Sequence, residues 1–439
     1  MSVFRRAQYE LMRGVVGPAL AGLQDAQTAR KRRRRKPRPS PLGPPPETGR
    51  LLRKVSTSHY FSGRYADGAV PVAWVTSGAP IEILRPLGYY LVYPENHGAI
   101  CGAGKMSEEP IAVAEDAGFS QDLCSYARID FGTLLSGKTP VGRIPPPDLL
   151  VCCTNICQTV LYWYRELARQ LDVPLVMLDT PYVYGQPEPA HIRYVTEQLR
   201  RYAETAARVA GVRFDEDEFT EAVVLARDGC VLWGECLATN RQRPAPWTAF
   251  DGFIHMIPIV TMRGTEACNA YYRVLRDELQ RRGRDGIGGV VDERHRLLWD
   301  NLPVWFRMRD LSRLLAENGF AMVAATYTNA WAETATLMET EDPWEGLAMA
   351  YSMVILNRDL GHRLELIRNM AREYECDGVL FHSDRSCKPY SVGQLELREA
   401  LADEGIRSLV LDADHADPRS YADGPAETRL RAFMETFES

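Results

Sequence analysis

The stretch DLLVCCTNICQTVLYWYRELARQLDVPLVMLD, residues 148–179, contains a complete strand–helix–strand pattern. LLVCC (149–153) and PLVMLD (174–179) are short apolar runs of the kind that form buried strands, and LYWYRELARQL (161–171) between them has helical spacing. Two strands joined by one crossover helix form a βαβ unit, whose strands are parallel. The stretch therefore predicts an α/β protein with a parallel sheet.

The same alternation continues on both sides of this unit. Strands are predicted by the same criterion at VAWV (72–75), YLVY (90–93), HRLLWDN (295–301), FAMVAATY (320–327), DGVLFHS (377–383) and IRSLVLDAD (406–414). Helices are predicted from His191 to Val209 and from Glu266 to Arg281. We therefore expect two small parallel sheets with helices on both faces, in domains at 70–215 and 291–439 joined by a helical segment at 216–290.

Residues 1–69 differ in composition from the rest of the chain. Residues 1–29 predict a helix, whereas RKRRRRKPR (30–38) and PSPLGPPPETG (39–49) predict a disordered linker, because charge runs and prolines cannot pack a core. A basic run can bind nucleic acid, but the rest of the chain is acidic and shows no nucleic-acid motif. We therefore favour a solvated or partner-contacting tail, and expect deletion of residues 1–50 to leave folding unchanged.

The bulk composition is that of an ordinary soluble protein. The chain has 439 residues, 45% of them hydrophobic and 25% charged, with a formal net charge of −6. No stretch approaches the roughly 18–20 apolar residues that span a bilayer, and Glu10 and Arg13 interrupt any signal-peptide core. We expect a cytoplasmic protein, in which the ten cysteines are core residues, metal ligands or catalysts rather than disulfides.

Side chains that can act as nucleophiles, acids, bases or metal ligands follow the predicted strand ends. They are Ser77, Glu95, Cys157 and Cys387. In open α/β sheets, ligands bind outside the carboxyl ends of the strands. Because these residues come from both predicted domains, we expect them to meet in a cleft between the two.

Three cysteines stand out by their local context. Cys157, in CCTNICQTV, lies at the mouth of a predicted helix, where the helix dipole and unpaired N–H groups lower the pKa of a thiol. Cys387, in HSDRSCKPYS, and Cys124, in GFSQDLCSYARIDFG, have polar neighbours that are unusual for a core cysteine. Their spacing matches no local ferredoxin or zinc-ribbon arrangement, so on this evidence alone they could bind zinc, an iron–sulfur cluster or nothing.

The remaining cysteines are expected in the core. Cys152 and Cys153 close a predicted buried strand. The others have apolar or helical neighbours: Cys101, Cys230, Cys236, Cys268 and Cys376.

Five segments, taken in their order and spacing, resemble the family of 2-hydroxyacyl-CoA dehydratases and benzoyl-CoA reductase subunits. They are PIEILRPLGYYLVYPENHGA (80–99), DLCSYARIDFG (122–132), CTNICQTVLYWYRELARQLDVPLVMLDTPY (153–182), DGVLFHSDRSCKPYS (377–391) and LDADHADPRSYADGPAETRLRAFMETF (411–437). The resemblance covers most of residues 70–437. The arginine-rich tail has no counterpart in it.

The resemblance implies two flavodoxin-like domains with a [4Fe–4S] cluster in the cleft between them. The family's three ligand cysteines match Cys124 in LCSYAR, Cys157 in NICQT and Cys387 in RSCKPYS. Dehydratase subunits of the α type also carry a serine after the first strand and a glutamate in a PEN motif, which match Ser77 in VTSGAP and Glu95 in YPENHG. A catalytic α-type subunit is therefore implied, with one iron left open for chemistry.

The implied activity is that of a lyase, which eliminates water from an (R)-2-hydroxyacyl-CoA to give the 2-enoyl-CoA. The β-hydrogen is barely acidic beside a neutral thioester. One electron turns the thioester into a ketyl radical anion, which expels the 2-hydroxyl group and makes the β-proton removable. The implied partners are a second subunit of the same family and an ATP-dependent [4Fe–4S] activator that injects the electron. We expect this chain to contain no phosphate-loop pattern of the G-x-x-x-x-G-K-[ST] kind.

Two roles remain open for each of the matched polar residues. Glu95 is a candidate proton carrier with a pKa tuned by a dry pocket, or a carboxylate that stabilises a helix start. Ser77 is a candidate hydrogen-bond donor to the substrate or the leaving hydroxide, or the N-cap of a helix containing Glu82. His97, beside the PEN motif, could share a proton.

Other functions compete with the dehydratase. A benzoyl-CoA reductase-type subunit would be an oxidoreductase built on the same motifs. A noncatalytic subunit that holds a cluster for electron transfer is a different class of protein. A double-cubane reductase would need further thiolates, for which Cys152 and Cys153 are the candidates.

Overall fold

The chain's computed structural model describes residues 3–34 and 39–438, and its strands form two four-stranded parallel sheets. The first sheet has the order β2-β1-β3-β4 and consists of β1 (Val72–Val75), β2 (Tyr90–Val92), β3 (Leu149–Cys153) and β4 (Leu175–Leu178). The second has the order β6-β5-β7-β8 and consists of β5 (His295–Asp300), β6 (Phe320–Ala325), β7 (Gly378–Asp384) and β8 (Arg407–Ala413). Every predicted strand is confirmed to within two residues at each end.

Helices surround both sheets. The N-terminal extension contains α1 (Val3–Leu11), a π-helical turn (Met12–Val16), α2 (Gly17–Arg34) and α3 (Gly49–Gly63). The first half continues with α4 (Pro94–Ala103), α5 (Glu108–Asp116), α6 (Ser125–Ser136), α7 (Gln158–Leu171) and α8 (Pro189–Ala210). The middle segment contains α9 (Glu216–Ala238), α10 (Ala249–His255), α11 (Ile257–Thr261) and α12 (Glu266–Arg284). The second half contains α13 (Met308–Glu317), α14 (Thr326–Glu333), α15 (Pro343–Ser352), α16 (Leu360–Glu373), α17 (Lys388–Ser391), α18 (Gln394–Asp403) and α19 (Asp423–Glu435).

Six of the eight strands are buried almost throughout, and the edge strands β4 and β8 are more exposed. Along β3, Leu150 and Cys152 belong to one hydrophobic cluster, whereas Val151 and Cys153 belong to the cluster on the other face. Alternate side chains of a strand point to opposite faces, so helices must cover both. With a strand order of 2-1-3-4 in each half, the predicted pair of flavodoxin-like sheets is confirmed.

The crossover helix α7 shows how the pattern fixes an element. Its buried residues are Val160, Trp163, Tyr164 and Leu167, which recur at the spacing of one helical face. The helix begins at Gln158, three residues before the predicted start, because the chain leaves extended geometry at Cys157.

The N-terminal extension is helical, as predicted, but the proline-rich segment is not disordered. The amide of Gly43 donates to the carbonyl of Gly289 at 2.9 Å, and Arg282 Nη2 donates to the carbonyl of Pro44 at 2.7 Å. The amide of Thr48 donates to the buried carboxylate of Glu278 at 2.8 Å. The prediction of disorder is therefore wrong for 39–48, because the backbone of this segment and the Thr48 hydroxyl supply partners to buried charges on α12.

The basic run lies partly outside the described residues. Its first residues, 30–34, continue α2. Residues 35–38 fall outside the described part of the chain. Among the described helices, none is long and apolar enough to cross a membrane.

Candidate functional site

The predicted site residues all lie at the carboxyl ends of strands or at helix starts. Ser77 follows β1, Glu95 follows β2, Cys157 follows β3 and Cys387 follows β7. In addition, Cys124, Cys157 and Cys387 each occupy the position immediately before a helix, at α6, α7 and α17 respectively. Helix starts present unpaired N–H groups, which favour negatively charged ligands such as thiolates.

The three cysteines lie in one electrostatic neighbourhood although they come from both halves of the chain. Burial raises the pKa of Cys157 to about 12, and the nearby thiol of Cys124 adds to the rise. Burial also raises the pKa of Cys387 well above its ordinary value, with further contributions from Asp384, Cys124 and Cys157. Thiols from the two halves of the chain are therefore close enough to influence one another's pKa.

The three sulfur atoms do not all lie within 4.8 Å of one another, so they do not form a compact group around a single metal ion. Among the described residues, the one set of three candidate ligands whose donor atoms all lie within 4.8 Å of one another is Asp384, Asp414 and His415. Three thiolates on one zinc ion would lie about 4 Å apart, given Zn–S bonds of about 2.3 Å. Thiols that are neighbours but more widely spaced fit a cluster in which each binds a different iron. All three are free and only partly buried, so they remain accessible to such a group.

Ser77 and Glu95 are in direct contact. The amide of Ser77 donates to both carboxylate oxygens of Glu95, at 3.1 and 3.0 Å. The Glu95 side chain is 8% exposed, and this burial raises its pKa to about 7, against the opposing effect of the Ser77 hydrogen bonds. At neutral pH the group is therefore close to half protonated, which suits proton transfer in either direction.

The alternative roles of these residues fare differently. Glu95 is the second residue of α4 and accepts a hydrogen bond from its own amide, so a helix-start role is compatible with its position. The N-cap role for Ser77 is wrong, because the short helix Ile81–Leu84 is preceded by Pro80 and has no side-chain cap.

Glu95 belongs to the same neighbourhood as the cysteines. Its charge contributes to the raised pKa of Cys157, and both Glu95 and Cys387 add to the effect of burial in raising the pKa of the half-buried Tyr327. His97 takes no part in this grouping. Its Nε2 atom bonds the hydroxyl of Thr139 at 2.8 Å, and burial lowers its pKa to about 4, so it is neutral.

A buried histidine beside Cys124 was not found from the sequence. His415 is fully buried, and its Nδ1 atom lies 2.7 Å from Oδ2 of Asp384. Its Nε2 atom lies 2.8 Å from Oγ of Ser125 and 3.8 Å from Sγ of Cys124. The signal that could have identified it is its place just after β8, at the same edge of the second sheet as Cys387.

The neighbouring carboxylates are already satisfied by the protein. Asp414 accepts the Ser386 hydroxyl on one oxygen, and the amides of Ala416 and Asp417 on the other, each of those at 2.8 Å. A metal ion would have to displace these donors. Asp384, Asp414 and His415 therefore form a hydrogen-bonded network rather than a vacant metal cage.

Cys152 and Cys153 are fully buried in β3 and face opposite hydrophobic clusters. Burial raises the pKa of Cys153 to about 12 and that of Cys152 further still. Both fit the predicted core role better than a role as ligands of a second cluster.

One motif was overlooked in the sequence. GTLLSGKT (132–139) has the spacing G-x-x-x-x-G-K-[ST] of a phosphate-binding loop, so the expectation that the chain lacks this pattern is wrong. In the structure, however, its first half is the end of α6, and Gly137 is the left-handed residue that ends that helix, with φ 69°. A phosphate-binding loop joins a strand to the start of a helix. Gly132 instead allows close packing, because a Cβ there would lie 1.8 Å from the carbonyl oxygen of Pro110.

Comparisons with known proteins agree on one family. The family model described as "2-hydroxyglutaryl-CoA dehydratase, D-component" matches residues 76–437. The (R)-2-hydroxyisocaproyl-CoA dehydratase alpha subunit of Clostridioides difficile is 32% identical over 374 residues, covering 84% of this chain and 90% of that subunit. A benzoyl-CoA reductase subunit of Thauera aromatica is 31% identical over 393 residues, covering 85% of this chain and 90% of that subunit. The (R)-phenyllactyl-CoA dehydratase alpha subunit of Clostridium sporogenes is 30% identical over 367 residues, covering 83% of this chain and 89% of that subunit.

Proposed function

The chain belongs to the 2-hydroxyglutaryl-CoA dehydratase D-component family, and on that basis we propose that it is the catalytic, cluster-bearing subunit of an (R)-2-hydroxyacyl-CoA dehydratase. Its reaction would remove water from the 2-hydroxyacyl-CoA and release the 2-enoyl-CoA. Relatives that carry the names of such dehydratases match about nine-tenths of their own length, which supports the same kind of activity here.

In the proposed reaction, one electron is added to the thioester of the substrate to give a ketyl radical anion. The 2-hydroxyl group then leaves as hydroxide, the β-proton is removed, and the electron is returned at the end of the turnover. Water is therefore the net product besides the enoyl-CoA, and no net oxidation occurs.

Cys124, Cys157 and Cys387 are the residues that would hold a [4Fe–4S] cluster. When bound, the cluster would supply one-electron chemistry and an iron without a protein ligand. The observation that carries the proposal is that these three thiols, from both halves of the chain, influence one another's pKa, and that the charge of Glu95 influences the pKa of Cys157.

Glu95 would remove the β-proton. Its carboxyl group is buried, has a pKa of about 7 and is oriented by the amide of Ser77, so it can hold a proton near neutral pH. The Ser77 side chain would bind the substrate or the leaving hydroxide. Burial of Glu95 favours a site from which water is excluded.

The proposal includes partners and a location. A second subunit of the same family would complete the enzyme, since the relatives are named as subunits, and an ATP-dependent [4Fe–4S] activator would inject the electron. A cytoplasmic location fits the free cysteines, which need a reducing compartment.

A second candidate function is a benzoyl-CoA reductase-type subunit. It is favoured by the 31% identity to the Thauera aromatica subunit of that enzyme, a value close to those for the dehydratases. Anaerobic protein, supplied with its partner and activator, distinguishes the two. Conversion of 2-hydroxyacyl-CoA thioesters supports the dehydratase, whereas reduction of benzoyl-CoA would replace it.

The ligand assignment is tested by cysteine substitution. The protein is purified without oxygen and its iron and sulfide contents are measured. Cys124→Ala, Cys157→Ala or Cys387→Ala should lose or degrade the cluster. Cys230→Ala and Cys268→Ala are matched controls, since both thiols are fully buried in a hydrophobic cluster, and they should keep it. Retention of four irons and full activity by Cys157→Ala would refute the assignment.

A further inference from the structure

The residues that flank two of the proposed ligands are bonded to each other. Ser125 directly follows Cys124, and Ser386 directly precedes Cys387. The Ser125 amide donates to the Ser386 hydroxyl oxygen at 3.1 Å, although the two serines are 261 positions apart. This bond joins the first half of the molecule to the second, immediately beside the site.

Asp384 and His415 add a second connection between the same loops. Asp384 Oδ2 lies 2.7 Å from Nδ1 of His415, whose Nε2 lies 2.8 Å from the Ser125 hydroxyl. The other oxygen of Asp384 accepts the amides of Ser386 and Cys387, both at 3.2 Å. One buried carboxylate thus holds the backbone of Cys387 directly and the loop of Cys124 through His415.

Asp414 orients the hydroxyl group of Ser386. The Ser386 hydroxyl donates to Asp414 Oδ2 at 2.5 Å, so its oxygen is oriented to accept the Ser125 amide. The five side chains are all at least nine-tenths buried. We call this set, Ser125, Asp384, Ser386, Asp414 and His415, the interdomain clamp.

We propose that the interdomain clamp is a positioning device, which sets the separation of Cys124 and Cys387 before any cluster is present. The inference rests on the proposed function for the identity of the bound group. Each half has its own sheet, so the two ligand loops belong to different sheets and no shared strand pairing fixes their separation. A rigid multinuclear group needs its ligands at fixed separations, and bonds to the residues around the ligands provide them.

The clamp itself is tested in protein without cluster, by hydrogen–deuterium exchange. Ser125→Ala removes the hydroxyl that bonds His415 but leaves the amide that bonds Ser386. Exchange should become faster at 122–128 and also at 384–388, in the other half of the chain. Ser136→Ala, at the far end of the same helix, is the matched control and should alter neither segment.

The consequence for the bound group is tested in reconstituted protein. Loss of partners around metal ligands typically costs about 10–100-fold in metal affinity. We therefore expect Ser125→Ala and His415→Gln to release iron to a chelator roughly 10–100-fold faster than the unchanged chain, with altered electron paramagnetic resonance spectra. Ser136→Ala should match the unchanged chain in both measurements.

Two outcomes separate the clamp from the function on which it rests. If the unchanged chain takes up no cluster, the proposed function fails, and the exchange experiment alone decides whether the clamp exists. If the unchanged chain binds a cluster, and both clamp variants match the unchanged chain in hydrogen–deuterium exchange, rate of iron release and electron paramagnetic resonance spectrum, the clamp is refuted. Since Ser125→Ala removes only one oxygen atom, it tests the clamp even if His415→Gln fails to fold.

Discussion

At the scale of single residues, Glu95 has two possible roles that predict opposite results for one substitution. It is the second residue of α4, where a carboxylate stabilises the helix start, and it is also buried beside the cysteines with its pKa raised to about 7. Glu95→Gln keeps the size of the side chain and an oxygen that can accept the Ser77 amide, but it cannot take up a proton.

We expect Glu95→Gln to keep a normal cluster spectrum and to lower turnover by at least about 100-fold, the usual contribution of a general base. In the unchanged enzyme, the rate should fall as the pH drops below about 7, because the carboxylate becomes protonated and can no longer accept the β-proton. The variant should lack this pH dependence. Glu108→Gln, at the start of α5 and exposed, is the control and should behave like the unchanged enzyme.

The same variant gives a stability test with a definite sign. The folded-state pKa of Glu95 is raised above its ordinary value, so the ionised form destabilises the fold above pH 7 and this penalty disappears as the pH falls towards 4.5. Removing the charge should stabilise the protein at pH 8, by on the order of 3 kcal/mol at most, and change little at pH 5. Thermal unfolding at both pH values measures this. Normal turnover with lower stability at pH 8 would assign Glu95 to the helix start.

Residue positions were predictable where they follow from the order of the strands. Ser77, Glu95 and Cys157 follow strand ends of the first sheet, and Cys387 follows a strand end of the second. His415 was missed because its role depends on Asp384 and Ser125, which are 31 and 290 positions away. No local pattern in the sequence encodes such a pairing.

At the scale of elements, the loop after β1 is held by the loop after β3. The side chain of Asn155 donates to the carbonyls of Gly78 and Tyr351, at 3.1 and 2.8 Å. A Cβ on Gly78 would lie 2.6 Å from Asn155 Oδ1 and 2.7 Å from Ile156 Cγ2. The positions of Ser77 and Cys157 are therefore linked through this contact.

Gly78→Ala should disturb both loops. We expect a loss of about 1–3 kcal/mol in the free energy of unfolding, as is usual for overpacking, together with lower turnover. Gly22→Ala, in α2, is the control, because a Cβ there meets nothing within 4 Å and should stabilise that helix by up to about 1 kcal/mol. Unchanged stability and rate in Gly78→Ala would show that the loops have room to adjust.

The extension is attached through α12, which reverses our expectation for its removal. Both oxygens of the buried Glu278 are bound by Glu47 and Thr48, including a bond from the Thr48 hydroxyl. Deleting residues 1–50 would leave this carboxylate without those donors and should destabilise the fold, whereas deleting 1–38 would retain them.

Thr48→Val tests whether the N-terminal extension is attached through the bond between the Thr48 hydroxyl and Glu278. It removes the hydroxyl donor to Glu278 and should cost about 1–3 kcal/mol, the usual penalty for a lost bond to a buried charge. Thr28→Val is the matched control, since Thr28 is exposed and its hydroxyl bonds only its own helix, and it should stay within about 0.5 kcal/mol. Denaturant unfolding of both variants gives the comparison. Equal stabilities would mean that the segment is not attached through this bond.

Elements were predictable where burial dictates them and not where distant partners do. Strands buried on both faces need apolar runs, and the more exposed edge strands β4 and β8 keep enough of that pattern to be visible in the sequence as well. The segment at 39–48 looks disordered because its prolines suggest no packing. Its order comes from Glu278 and Arg282, more than 200 positions away.

At the scale of the whole molecule, one buried group joins all three parts of the chain. Arg263, from the middle segment, donates to the carboxylate of Glu82 at 2.7 Å, and the Tyr351 hydroxyl donates to the other oxygen at 2.8 Å. Glu82 belongs to the first half and Tyr351 to the second. The guanidinium also lies over the ring of Trp331, 3.9 Å from its centroid.

The isolated chain should not turn over. We expect no dehydration without a second subunit of the family and an ATP-driven activator. The one stretch with phosphate-loop spacing, 132–139, is formed by a helix end, so the chain has no ATP site of that kind with which to generate a low-potential electron. Adding both proteins and ATP should start the reaction, as measured by enoyl-CoA formation in the absence of oxygen. Robust dehydration by this chain alone would contradict the proposal.

The two-part architecture was visible in the sequence, but its internal symmetry was not. Two series of strands predict two sheets, and both sheets have the order 2-1-3-4. The halves are too dissimilar in sequence to indicate a repeat. Strand order is fixed by how the crossovers pack on the sheet, and many apolar sequences satisfy the same packing.

The division of the proposed ligands between the two halves has a consequence for biosynthesis. Cys387 lies 230 residues after Cys157, and at about 5–20 residues per second a ribosome needs roughly 10–50 s to cover that distance. The first half can fold during that interval, since its four strands are already made. A nascent chain would then expose Cys124 and Cys157 before Cys387 has been synthesised, so its cluster site would be incomplete. Maturation machinery should therefore load the metal only after the second half has emerged and closed over the first.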